Sequence, residues 1–170
     1  MTDRFFLLDA ARAEQNLRDA QRLNARFLSL YKGQSATALA EVAPYLFSFA
    51  QGTPFARWVL EKGWGQSWGV CGEAEADMAA LERHFRKFLL VKKEGGKDLY
   101  FRFYDPRVLR IVLPTFDAAQ LEEFFGPVKA FVLEDENATF VLRYTLQNRR
   151  LRTERAVMRT SGWLSAPAAA

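Results

Sequence analysis

The sequence contains one cysteine and one histidine, which narrows the chemistry that the chain can perform. A single thiol, Cys71, cannot form an internal disulfide, so the fold does not depend on an oxidising compartment. His84 has no second histidine and no nearby cysteine with which to bind a metal or to form a nucleophile–base pair. We therefore expect structural roles for both residues, Cys71 as a small buried thiol and His84 beside the apolar stripe of a helix.

Long hydrophobic runs are also missing. No stretch approaches the roughly 20 apolar residues of a membrane-spanning helix, and the apolar run at residues 5–8 is too short for a secretory signal. We therefore expect a cytosolic protein. With 49% hydrophobic residues and 15 phenylalanines in 170 positions, the chain has enough apolar material for a substantial core.

The glycine-rich segment from Gly63 to Gly69 does not form a nucleotide-binding motif. A phosphate-binding loop follows a strand and opens a helix, so that the phosphates meet the helix N-terminus. Here the glycines follow a predicted helix and lead into a strand, and two tryptophans lie between them. We therefore expect no nucleotide at this segment.

The net charge is small, and its distribution is uneven. Between residues 149 and 159 there are five arginines and one acid, which accounts for the whole net charge of +4. The remainder of the chain is neutral overall. We place a domain boundary here, with a domain at residues 1–147 and a short basic, partly flexible C-terminal extension at residues 148–170.

Periodicity predicts both strands and helices. Residues 4–8 predict a buried strand because residues 5–8 are continuously apolar, and Asp9 is placed to cap the helix that follows. Residues 27–31 suit either an extension of that helix or a second strand. At residues 77–90, apolar side chains recur at helical spacing and form one stripe.

Two hairpins are predicted in the second half of the chain. The first surrounds Gly95-Gly96, and its second strand, residues 98–104, alternates as a half-buried strand does, with Leu99, Phe101 and Phe103 on one side. The second hairpin joins residues 128–133 to 139–146. This order predicts an α+β or mixed α/β fold, with a central, mostly antiparallel or mixed sheet and helices packed on it.

Helix termini explain several conspicuous residues. Asp105 is placed to cap a helix that begins at Pro106, where no backbone donor is needed. Asp117 and Gln120 form a capping-box-like start to a later helix, which Gly126 and Pro127 end. Asp105 is also the first acid to consider in an alternative in which the chain is an enzyme with carboxylate chemistry, but no spacing selects a catalytic pair.

Five segments, in order, resemble the family of type VI secretion effector chaperones. They cover about residues 4–130: Phe5-Phe6-Leu7-Leu8-Asp9-Ala10-Ala11, Ala43-Pro44-Tyr45-Leu46, His84-Phe85-Arg86-Lys87-Phe88-Leu89, Phe101-Arg102-Phe103-Tyr104-Asp105-Pro106-Arg107-Val108-Leu109 and Phe124-Phe125-Gly126-Pro127. The resemblance marks Asp9, Asp105, Pro106, Arg107, Gly126 and Pro127 as structural motif residues. Many relatives have a longer C-terminal lobe than this chain.

The resemblance implies a cytosolic adaptor without catalytic residues or cofactors. Such a protein binds a toxic effector and helps to load it onto the valine-glycine-repeat spike protein. Tryptophan and arginine often dominate interface energies, so we expect the partner to contact Arg149, Arg150, Arg152, Arg155 and Trp163. The alternative is a nucleic-acid-binding module that uses the same arginines, although the rest of the chain is neutral and contains no recognised nucleic-acid module.

Overall fold

The computed structural model describes residues 3–92 and 94–158, in which strands and short helices alternate. The strands are β1 (Asp3–Asp9), β2 (Phe27–Ser29), β3 (Pro44–Ser48), β4 (Gly69–Ala74), β5 (Leu90–Lys92), β6 (Asp98–Tyr100), β7 (Val128–Glu134), β8 (Phe140–Gln147) and β9 (Arg150–Val157). The helices are α1 (Ala10–Ala13), α2 (Asn16–Leu23), α3 (Gln34–Ala38), α4 (Pro54–Trp58), α5 (Met78–Arg86), α6 (Pro106–Val112) and α7 (Ala118–Phe125). A π-helical turn, Val59–Gly63, extends α4, and a 3₁₀ turn, Leu113–Thr115, extends α6.

Seven strands form one antiparallel sheet in the order β2-β3-β1-β4-β7-β8-β9. Strands β5 and β6 pair separately as a two-stranded ribbon. This architecture confirms the predicted α+β fold with a central antiparallel sheet. None of the helices in the described part of the chain is long and apolar enough to cross a membrane.

Strand β1 is continuously apolar because both faces of the sheet are covered. Phe5 and Leu7 point into one core, which also takes side chains of α5, α6 and α7. Phe6 and Leu8 point into the other core, with side chains of α1, α2 and α4. Successive side chains of a strand alternate between faces, so four consecutive apolar residues supply two cores.

Capping residues begin the helices where the sequence predicts. Asp9 Oδ1 accepts a hydrogen bond from the Ala11 amide at 3.1 Å, and Asp117 forms a capping box with Gln120. Each cap satisfies a backbone donor that has no partner within its helix. Gly126 ends α7 with φ of 48°, a conformation that disfavours side chains with a Cβ.

The single cysteine and the single histidine are both buried. Cys71 is buried, and burial raises the pKa of its thiol well above the ordinary value. His84 is 7% exposed, and its Nε2 lies 2.8 Å from the Phe124 carbonyl oxygen. Burial lowers the pKa of His84, so the ring stays neutral in this packing.

The C-terminal boundary differs from the expectation. The predicted division after residue 147 falls in a tight hairpin turn, where Asn148 and Arg149 both have positive φ. The following residues, Arg150–Val157, pair along their whole length with β8 and form the last strand of the sheet. The extension was not recognised as a strand because its inward-facing residues are few: Leu151 and Glu154 are half-buried, and most of the others are exposed.

Candidate protein-binding surface

The β5–β6 ribbon exposes large apolar side chains on both of its faces. The register pairs Leu90 with Tyr100 and Val91 with Leu99, so each face carries one pair. Exposed fractions are 50% for Leu90, 48% for Val91, 50% for Leu99 and 64% for Tyr100. A two-stranded ribbon gains little stability from exposed apolar residues, and contiguous apolar surface of this kind marks interaction sites.

The sequence placed Leu99 on the buried side of a longer strand, and the structure corrects this. Strand β6 ends at Tyr100, after which the chain turns and enters the core. Phe101 and Phe103 pack there with ring centroids 5.7 Å apart, and Phe103 is fully buried. The alternating pattern was therefore real for the two phenylalanines but did not extend to Leu99.

A groove lies beside the ribbon. It has a volume of about 280 Å³ and is formed by the residues after β2, by α3, by the C-terminal end of α5 and by the ribbon itself. Leu30 and Leu89 are buried within it, whereas Leu39, Leu90 and Tyr100 are exposed at its walls. The groove adjoins the ribbon face that carries Leu90 and Tyr100. We call the groove and the ribbon together the docking surface.

An ion pair fastens the base of the ribbon to the sheet. Arg102 follows β6 by two residues, and its guanidinium donates to the carboxylate of Asp9 at the end of β1. Asp9 is 1% exposed, whereas the Arg102 side chain is 41% exposed. The amide of Phe101 also donates to the Leu89 carbonyl at 3.0 Å, which extends the ribbon ladder towards this pair.

Asp105 is an ionised anchor and not a free acid. Its Oδ1 accepts from the backbone amide of Arg107 at 2.9 Å, and its Oδ2 accepts from Arg107 Nη2 at 2.7 Å. Burial alone raises the pKa of this carboxyl, but the hydrogen bonds and charge of Arg107, with the charge of Arg102, lower it overall. A carboxylate held in this way is poorly suited to donate or accept protons near neutral pH.

Tyr104 directly precedes Asp105 and is buried near Tyr31, which lines the groove. Burial, followed by the nearby Tyr31 and Asp9, raises the pKa of Tyr104. Burial also raises the pKa of Tyr31. Both hydroxyls therefore stay protonated at neutral pH.

The family comparison covers this whole arrangement. Residues 4–123 match the family described as Domain of unknown function (DUF4123). The chain belongs to this family. No curated protein and no solved structure matches the chain. The DUF4123 match contains Asp9, Arg102, Asp105 and the ribbon, but it ends within α7 and leaves β7, β8 and β9 outside.

Most arginines of β9 and of the turn before it form ion pairs with acids of the same DUF4123 protein. Arg149 Nε lies 2.8 Å from Glu122, Arg152 pairs with Glu154 at 3.3 Å, and Arg155 pairs with Asp135 at 3.2 Å. Among these four arginines, only the Arg150 side chain forms no ion pair or hydrogen bond with the described residues; the backbone of Arg150 pairs with that of Gln147. Trp163 lies outside the described residues.

Strand geometry also separates these arginines. Arg155 pairs opposite Leu142 and lies on the face of Phe140, with its guanidinium 3.7 Å from that ring's centroid. Arg150 and Arg152 point to the opposite face, since neighbouring residues of a strand alternate. The predicted arginine strip is thus not one continuous basic surface.

The glycine-rich segment binds a carboxylate from its own chain. The amides of Gly65 and Ser67 donate to Glu134 at 2.6 and 2.8 Å. Burial raises the pKa of Glu134, although these hydrogen bonds oppose the shift. The backbone donors that a phosphate needs are therefore already occupied in this DUF4123 domain.

A second, more polar cavity of about 620 Å³ lies at the end of β1. It is lined by two acids, Asp3 and Glu73. Glu73 pairs with Arg4 at 3.7 Å and with Arg143 at 2.9 Å. Over the described parts of the chain, no three His, Cys, Asp or Glu side chains come together as a metal site. Among the described residues, the docking surface combines a groove with large exposed apolar side chains, and we take it as the candidate site.

Proposed function

We propose that this DUF4123 protein is a cytosolic, non-enzymatic adaptor that binds a type VI secretion effector and helps to load it onto the valine-glycine-repeat spike protein. The observation that carries the proposal is the β5–β6 ribbon, with its four half-exposed apolar side chains. Such a surface is stabilised when a partner covers it. The partner class comes from the resemblance of five segments of the sequence to the effector chaperones.

The location of the motif residues supports this function. Asp9, Arg102 and Asp105 connect to one another and to the base of the ribbon, so the residues that carry the resemblance also position the docking surface. Their carboxylates are engaged by arginines and backbone amides. A role in positioning a binding surface accounts for them without any bond-making chemistry.

The nucleic-acid alternative has less support. Three of the four predicted arginine contacts pair with acids of the chain, and the set is split between two faces of β9. Phosphate binding depends on several free cations that follow one backbone. Retardation of a mixed-sequence DNA duplex at low salt, lost on mutation of Arg150, would instead favour this alternative.

The experiment is affinity capture from the native host with a tagged full-length chain. The wild type should recover an effector toxin or the spike protein. The double variant Leu99→Ser/Tyr100→Ser should lose most of that recovery because it removes apolar area from the ribbon without altering the core. Ile111→Ser is the matched control, since Ile111 is 73% exposed and lies on α6 instead of on the ribbon.

Two results would contradict the proposal. If the wild type recovers neither protein, the chain does not act as the proposed adaptor. If the ribbon variant recovers as much as the wild type, the docking surface is not the site that binds the partner. Thermal melting of each variant checks that a loss of capture does not come from unfolding.

A further inference from the structure

The charges around the groove are of one sign. Lys32, Arg86 and Lys87 line it, and no carboxylate is among the described residues that do so. All three cations are exposed. The dipole of α5 favours Arg86 and Lys87 at its C-terminal end, but Lys32 comes from a separate loop, so the helix alone does not account for the cluster.

Part of this positive charge is free to meet a partner. The Lys32 ammonium lies 2.7 Å from Glu82, and Arg86 uses Nε to donate to the Leu30 carbonyl at 3.2 Å. The remaining N–H groups of Arg86 have no partner among the described residues, and neither does the ammonium of Lys87. The rim therefore carries at least two cations with unused donors.

The shape of the site selects the kind of ligand. An apolar cavity of about 150 Å³ accommodates one benzene-sized group, so a groove of about 280 Å³ has room for one large aromatic or branched aliphatic side chain. The exposed walls formed by Leu39, Leu90 and Tyr100 would cover it. A concave site of this size fits an inserted side chain better than it fits the surface of a membrane.

We propose that the groove binds a protein segment in which one bulky apolar residue is flanked by acidic residues. The apolar side chain enters between Leu39 and Tyr100, and the carboxylates meet Arg86 and Lys87 at the rim. This inference rests on the proposed function, because it states the chemistry of the partner segment at the same docking surface. It assigns to the groove a specificity that the apolar ribbon alone does not have.

The test uses site-specific photo-crosslinking in the full-length chain. The photoreactive residue p-benzoylphenylalanine replaces Tyr100 in one variant and Ile111 in a control, and both are expressed in the native host. Irradiation should join the Tyr100 variant to one segment, which mass spectrometry then sequences. The expected segment contains an aromatic or branched aliphatic residue with at least two Asp or Glu within four positions.

A charge reversal provides an independent measurement. Lys87→Glu should weaken capture of the cross-linked protein at least tenfold, and raising the salt concentration should weaken wild-type binding because the charges are screened. Arg83→Glu is the control, since it makes the same charge change on the same helix but lies outside the groove lining. Equal losses in the two variants would overturn the proposal.

The outcomes separate this inference from the proposed function. A neutral or basic cross-linked segment, a second copy of this chain, a lipid adduct, or no cross-link despite capture of an effector overturns the groove inference and leaves the adaptor function standing. An acidic segment from a protein that is neither effector nor spike overturns the proposed function and supports the groove inference.

Discussion

Replacing Arg102 by methionine should loosen the docking surface before it unfolds the domain. The substitution keeps an extended side chain but removes the cation that pairs with Asp9. The Asp9 carboxylate, 1% exposed, would then keep only the hydrogen bond from the Ala11 amide at 3.1 Å. Removing one partner of a fully buried pair costs about 3–5 kcal/mol.

The expected loss of stability is smaller than for a fully buried pair, because the Arg102 side chain is 41% exposed and water reaches the ion pair. Screening of this kind reduces the energy of an ion pair strongly, so we expect about 2 kcal/mol from Arg102→Met. For a domain of this size each kcal/mol lowers Tm by about 2–4 °C. The midpoint should therefore fall by about 4–8 °C.

Chemical denaturation of a double-mutant cycle measures the pair itself. Asp9→Asn keeps a capping oxygen and removes the charge, so it should relieve part of the damage caused by Arg102→Met. We expect a coupling energy of about 1 kcal/mol or more between the two positions. Tryptic cleavage after Lys92 or Lys97 should also be faster in Arg102→Met than in wild type. Additive losses with unchanged cleavage would show that the pair does not hold the ribbon.

Three further predictions concern the fold. Gly126→Ala should lower the free energy of unfolding by about 3 kcal/mol, because φ is 48° and the new Cβ would lie 2.4 Å from His84 Cε1. Gly52→Ala is the control: its new Cβ meets no atom within 4 Å, so the loss should be about 1 kcal/mol. Glu134→Ala should lower the free energy of unfolding by about 2 kcal/mol because it leaves two amides without an acceptor. Glu136 is exposed, so Glu136→Ala should change stability little. Urea unfolding measures both glycine variants and both glutamate variants. The lowered pKa of Asp105 means that its ionised form stabilises the fold above about pH 4 and that this stabilisation is lost on further acidification. Asp105→Asn should therefore flatten the acid limb of a plot of Tm against pH. An unchanged limb would show that ionised Asp105 does not stabilise the fold.

Local sequence signals predicted the elements whose causes are themselves local. The caps at Asp9, Asp105 and Asp117 depend on a side chain and on amides two or three residues later, and the structure confirms all three. The buried strand at residues 4–8 needed only its apolar run. These features do not depend on which distant residues pack against them.

The features that were missed or left open depend on distant contacts. Strand β2 is too short for periodicity to decide between the two alternatives at residues 27–31, and it exists because β3 pairs with it. Strand β9 is mostly exposed, so its pattern resembles that of a polar tail until β8 supplies the register. The groove could not be foreseen because Leu39 is far in sequence from Leu90 and Tyr100. The sequence did contain two apolar dipeptides, Leu90-Val91 and Leu99-Tyr100, one on each side of Gly95-Gly96.

The link between Asp9 and Arg102 spans 93 positions. Bringing together two residues so far apart in sequence carries a loop-closure cost, which slows the formation of such contacts. A chain in which β1 has not yet joined the sheet therefore lacks the fastened ribbon and presents no finished groove. Under the adaptor function that we propose, binding of a partner would report that the chain has completed its folding, because the groove exists only once the first strand is in place.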